Sequence, residues 1–169
     1  MKNMDPEEIT KALENFEFNV EEFENQLDRY IDMFKMAQAE QQLNELNKMI
    51  QNIVEKQIEL DDYIDDKSTK LNTLEPKADK QEQRYDSFLK LLEQAINEIE
   101  DVSESTSDML QSLNENPIIE QTNQSLDEIK KEISKNDRDN ASLSSENTQN
   151  NCEIIRDEIN RIQEEFINE

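Results

Sequence analysis

The sequence predicts an all-α chain of three extended coiled-coil segments, and three observations predict it. No glycine occurs among the 169 residues, so the chain lacks the residue that most often serves left-handed turns, phosphate loops and bulged sheets. Apolar residues recur at alternating spacings of three and four, the stripe by which one helix seam faces a partner. Only three prolines are present. The two interior ones, Pro76 and Pro117, are helix breakers that lack a backbone donor and restrict the residue before them.

The first segment covers residues 7–75. Asp5 serves as a helix N-cap, Pro6 suits the first helical position, and Glu7 and Glu8 place acids in the first turn. Its stripe runs through Ile9, Leu13, Phe16, Val20, Phe23, Leu27, Tyr30, Phe34 and Ala37. A second register follows through Leu43, Leu46, Ile50, Ile53, Gln57, Leu60, Ile64, Lys67, Leu71 and Leu74. The registers differ by two residues, so residues 36–42 are expected to distort the supercoil, bend or break. As one helix, residues 7–74 would span about 100 Å.

The second segment, 80–114, continues the pattern through Tyr85, Leu89, Leu92, Ile96 and Ile99, weakens at Ser103 and Thr106, and resumes at Leu110 and Leu113. The third, 117–167, uses Ile119, Thr122, Leu126, Ile129 and Ile133, then Cys152, Ile155, Ile159, Ile162 and Phe166. The polar stretch 134–151 between them reads as a loop or a loosely packed helix. Each segment presents a narrow seam rather than a broad face, as intermolecular or folded-back coiled coils do.

Charge and composition narrow the function. A formal charge of −24 opposes a phosphate-binding surface, which needs clustered Lys and Arg, and opposes an anionic membrane surface. With no histidine, the chain lacks the commonest general base and metal ligand. The reading is therefore no enzyme, no cofactor, no metal and no small-molecule ligand. The acids Asp61, Asp62, Asp65 and Asp66 lie strung along a helix, without the glycine turn of a calcium loop. The single cysteine, Cys152, falls on a seam and reads as a small buried hydrophobe. No run of apolar residues is long enough to insert in a membrane. The triplets at Asn123 and Asn140 are chance matches to a glycosylation pattern.

The aromatic concentration at Phe16, Phe18, Phe23, Tyr30 and Phe34 suits assemblies of three or four helices, with Phe18 off the seam as a further partner contact. Gln57 and Lys67 interrupt the second register; polar seam residues select register and partner. A homodimer would stack Lys67 on its own copy, which favours a hetero-oligomer.

Gln57-Ile58-Glu59-Leu60-Asp61, Gln83-Arg84-Tyr85, Asn116-Pro117-Ile118 and Asn136-Asp137-Arg138-Asp139-Asn140-Ala141-Ser142-Leu143 together resemble the C-terminal domain of the central-channel nucleoporins, the family of the NSP-one and sixty-two-kilodalton nucleoporins. Gln57-Ile58-Glu59-Leu60-Asp61 is similar to a stretch near the end of that family's first coil. Gln83-Arg84-Tyr85, followed by Leu89 and Leu92, resembles the start of the second. Asn116-Pro117-Ile118 resembles the entry to the third coil, and Asn136-Asp137-Arg138-Asp139-Asn140-Ala141-Ser142-Leu143 a motif within it. On that likeness, 134–151 becomes a polar portion of a third helix. The family's tryptophan, its third-coil histidine and its Phe-Gly repeats have no counterpart here. The resemblance implies the scaffold half of the family's role: a parallel heterotrimer with two other channel nucleoporins, held by an inner-ring anchor at the nuclear pore. Periodicity alone fits a coiled-coil adaptor of a tethering, kinetochore or spindle complex equally well.

Overall fold

A computed structural model describes residues 6–168, except for the side chains of residues 6, 8, 9, 12, 15, 17 and 18. The described residues contain five α-helices and no strand: α1 Pro6–Asp65, α2 Glu75–Ile99, α3 Glu104–Asn114, α4 Pro117–Ser134 and α5 Arg138–Asn168, with a 3-10 turn at Leu71–Leu74. The chain divides into two units, residues 1–38 and 39–169. Asp5 lies outside the described residues, as do the side chains of Ile9 and Phe18.

The second unit folds back on itself. From Ala39 onward α1 buries Ala39, Leu43, Leu46, Ile50, Ile53, Gln57, Leu60 and Ile64, an unbroken alternation of four and three. In α2 the buried set is Ala78, Gln81, Tyr85, Phe88, Leu92, Ala95 and Ile99. In α5 it is Ala141, Ser145, Thr148, Cys152, Ile155, Ile159, Ile162 and Phe166, with Ser144 beside them. Cross-helix hydrogen bonds set the directions. Gln81 Nε2 donates to the Ile53 carbonyl at 2.7 Å, and Gln42 Nε2 to Glu98 at 2.5 Å; residue numbers fall on one helix as they rise on the other, so α1 and α2 are antiparallel. Asn47 Nδ2 donates to Asn160 and Gln163, and Gln57 Nε2 to Ser145 Oγ at 2.9 Å, so α1 and α5 are antiparallel too. Ser107 Oγ donates to the Ile96 carbonyl at 2.9 Å and Tyr85 Oη to that of Ile119 at 3.2 Å, placing α3 and α4 in one direction against α2. Both also pack on α5. The result is an up-down-up-down four-helix bundle whose third column is interrupted at Pro117.

The described residues are all-α as expected, but five helices stand where three extended segments were expected, and the breaks fall differently. The first break lies at 66–70, ahead of Pro76, because the Asp66 carboxylate accepts from the Ser68 and Thr69 hydroxyls and the Ser68 amide, closing a turn that competes with helix. Pro76 sits in the first turn of α2, where its missing donor is harmless. The second segment splits at Ser103, which caps α3 by accepting from the Thr106 amide at 3.1 Å. At Pro117 the expected break is present: Asn116 accepts from the Ile118 amide at 3.0 Å and starts α4. The third segment also splits, and its loop spans only 135–137. The expected register change at 36–42 leaves α1 helical throughout.

The turn at 135–137 shows how a chain without glycine ends a helix. Asn136 has φ of 59°, the left-handed cap position that glycine usually takes and asparagine tolerates. The Asp137 amide donates to the Glu132 carbonyl at 2.9 Å and the Asn136 amide to that of Ile133 at 2.9 Å. Asp137 then accepts from the Asn140 amide at 3.2 Å and opens α5. From that first turn Arg138 donates to the carbonyls of Ile64, Asp66 (3.0 Å) and Thr69 (2.5 Å). One guanidinium thus binds carbonyls at the end of α1 and in the loop after it, sharing that of Asp66 with the Thr69 amide.

Replacing Asn136 with alanine is expected to destabilise the bundle by about 1 kcal/mol, because a Cβ without a compensating amide disfavours the left-handed conformation. Asn136→Gly should match or exceed the parent, and urea denaturation of the three proteins checks the order.

Candidate partner-helix interface

The seam residues divide into two populations. Leu43, Leu46, Ile50, Ile53, Leu60, Ile64, Leu71, Leu74, Leu92, Ile99, Leu126, Ile129, Ile133, Ile155, Ile159 and Ile162 are buried. Expected as a surface for other chains, they are instead covered by this chain's own helices. Leu89 and Ile96 are half-buried flanking residues; the inner positions beside them belong to Phe88 and Ala95. Phe88 stacks on Tyr85 with ring centroids 5.9 Å apart.

The two polar interruptions lose the role expected of them. Gln57 is fully buried, and its amide is held by Ser145 of α5. Lys67 lies exposed in the turn after α1 rather than on a helix. The charge conflict that argued against like chains pairing therefore does not arise at Lys67.

In the first unit the seam is open. Phe16, Phe23, Tyr30 and Phe34 are 65–68% exposed, with Leu13, Val20 and Leu27 exposed between them. Ile31 and Met33, at the flanking positions, are also exposed and widen the stripe, a broadening that the strict heptad reading does not register. Isolated apolar residues on a surface need no explanation, but nine on one side of a helix within 22 residues form a contiguous patch of the kind that marks an interaction site. The stripe is about 35 Å long at 1.5 Å per residue.

Elsewhere the polar groups have structural duties. The cluster Asp61, Asp62, Asp65 and Asp66 holds no cation-binding arrangement, and no group of metal-ligating side chains is assembled among the described residues. Asp65 accepts from Ser142 Oγ at 2.7 Å, and Asp66 closes the turn. Hydrogen bonds from Ser68 hold the Asp66 carboxyl below its ordinary range. Burial holds Asp61 above it, with Asp65, Asp62 and Glu146 adding to the shift against a hydrogen bond from Ser145. Cys152 is buried, and burial pushes its thiol up to about 12.

A groove of about 870 Å³ between α1 and α2 is floored by Met49, Ile53 and Leu91 and rimmed by Lys48, Lys80, Arg84 and Lys90. Its one hydroxyl, on Ser87, donates to the Gln83 carbonyl at 2.8 Å and faces no paired base. No helix among the described residues is long and apolar enough to cross a membrane. The open seam of residues 13–36 is thus the feature best suited to a function. Comparison with protein-family models, with curated proteins and with solved structures finds no match for this chain.

The buried groups have measurable consequences. Cys152 should resist thiol reagents at mildly alkaline pH in the folded protein and react stoichiometrically once urea unfolds it; rapid labelling without denaturant would contradict its burial. Asp61, with a raised folded pKa, supports folding below the ordinary carboxylate range, and that support is lost as pH rises through the raised value. Asp61→Asn is therefore expected to increase stability at neutral pH and to flatten the pH dependence just above the usual carboxylate range, as read by thermal melts across pH.

Proposed function

We propose that this chain is a non-enzymatic structural subunit that assembles through the helix face of residues 13–36. The observation that carries this reading is the exposed, uninterrupted apolar seam from Leu13 to Phe34. Residues 39–169 bury their own seams among themselves and so need no partner to cover them. The seam at 13–34 is two residues out of phase with the one beginning at Ala39, which makes it a separate surface requiring its own partner helices.

Within that class, the resemblance of residues 57–61, 83–92, 116–118 and 136–143 supports a scaffold subunit of the nuclear-pore central channel. Its proposed location is the pore, and its proposed partners are channel nucleoporins and an inner-ring anchor. The resembling residues also have local duties: Asn116 and Asp137 begin helices, and Asn136 ends one. The alternative is an adaptor of a tethering, kinetochore or spindle assembly, acting through the same face.

Affinity purification of the tagged chain from its native cell tests both levels. Pore components are expected with the parent chain and should be lost with Phe16→Ser/Phe23→Ser/Tyr30→Ser. Recovery of tethers or kinetochore proteins alone would overturn the pore assignment. Recovery unaffected by the triple substitution would overturn the role of the face.

A further inference from the structure

We infer that the helix covering residues 13–36 is the same segment of a second copy, aligned in parallel and in register. This rests on the reading of that face as the assembly surface, and it replaces the heteromeric expectation there.

Three observations lead to it. First, the seam is large enough. Aromatic side chains carry about 150–250 Å² each, so four rings at two-thirds exposure leave on the order of 400–650 Å² open. With the exposed Leu13, Val20 and Leu27, the face approaches the roughly 800 Å² per partner of a stable interface. Second, the seam is free of polar interruptions from Leu13 to Phe34, so stacking like on like sets no charge against its copy. The lysine that would have done so lies in an exposed turn.

Third, the flanks select the orientation. With Leu13, Val20, Leu27 and Phe34 at position a, and Phe16, Phe23 and Tyr30 at d, position g falls on Asn19, Gln26 and Met33. Position e falls on Glu17, Glu24, Ile31 and Gln38. A parallel pair sets each g against the e five residues on: Asn19 on Glu24, Gln26 on Ile31, Met33 on Gln38. No like charges meet. An antiparallel pair sets e against e and, centred on the seam, brings Glu24 onto the Glu24 of the other copy. The acids Glu14, Glu21, Glu22, Asp28 and Asp32 occupy the outer positions, where they remain in water in either arrangement. At Ile31 and Met33 the flanks themselves are apolar and exposed, so self-pairing covers the widest part of the stripe as well.

Sedimentation equilibrium on the full chain tests this. The expected mass is at least twice the 20.0 kDa of one chain. Phe16→Ser/Phe23→Ser/Tyr30→Ser should restore one chain while circular dichroism shows the melting of residues 39–169 unchanged. Two milder variants read the pairing without touching the seam. Asn19→Glu, set against Glu24, should weaken self-association by roughly two- to tenfold, and Asn19→Lys should strengthen it by a similar factor. Orientation is read by mild oxidation of Leu13→Cys, which should give linked dimers, since an antiparallel pair holds those positions about 30 Å apart. Association without linkage would overturn the parallel arrangement. A monomeric parent chain would overturn the second copy as occupant. In that case partners recovered from cells in a seam-dependent way would leave the assembly reading standing, and their absence would remove both.

Discussion

Every helix in residues 39–169 buries one narrow stripe, and the bundle follows from the need to cover it. A seam of one residue every three or four is too narrow to seat a sheet and too apolar to leave in water. Four such seams cover one another when neighbouring helices run antiparallel through short connections. That requirement brings Leu43 to Ile64 of α1, Tyr85 to Ile99 of α2 and Cys152 to Phe166 of α5 into one core. Small polar residues fill part of it. Ser144, Ser145 and Thr148 lie where α5 meets Gln57, so the polar stretch that reads as a loop is a helix lined with hydroxyls. Thr148 returns its hydroxyl to the Ser144 carbonyl at 2.9 Å, which makes it tolerable inside.

Folding back without glycine places unusual weight on side-chain caps. Asp66, Ser103, Asn116 and Asp137 each accept from a nearby amide where a helix begins or a turn closes. Asn136 takes the one left-handed conformation among the described non-glycine residues. Arg138 then binds the end of α1 to the start of α5 through three carbonyls. These are short-range devices, and the stretches that most resemble the nucleoporin motifs coincide with two of them. At Asn116-Pro117 and Asn136-Asp137 the residues cap helix ends, so local structure supplies a reason for them that is independent of any family.

Much of the helix content was legible because heptad spacing survives any choice of partner. Residues Leu43 to Ile64 were readable as a stripe, and so was the stripe from Leu13 to Phe34. In α2 the reading was ambiguous: Leu89 and Ile96 satisfy the spacing as well as Phe88 and Ala95, and only packing against neighbours shows which pair turns inward. The breaks at 100–103 and 135–137 were obscured because serine and asparagine are compatible with helix surfaces and with caps alike. Lys67 was misplaced because heptad counting carried the helix on to residue 74, past the point where Asp66 diverts the chain. At the candidate interface, the a and d residues were legible, but the widening by Ile31 and Met33 was not.

By itself the sequence determined that the chain is helical, where the stripes of α1 and α4 and the second half of α5 run and, through Pro117, one of its corners. Those properties depend on residue type and on neighbours within a turn or two. Only the tertiary structure decided which stripes are satisfied internally and which remains open. A heptad defines a face without naming what covers it. The covering of residues 39–64 depends on corners that bring residues a hundred positions apart into contact, as Asn47 meets Asn160. The face from Leu13 to Phe34 stays exposed, and a heptad pattern alone does not distinguish it from the buried ones.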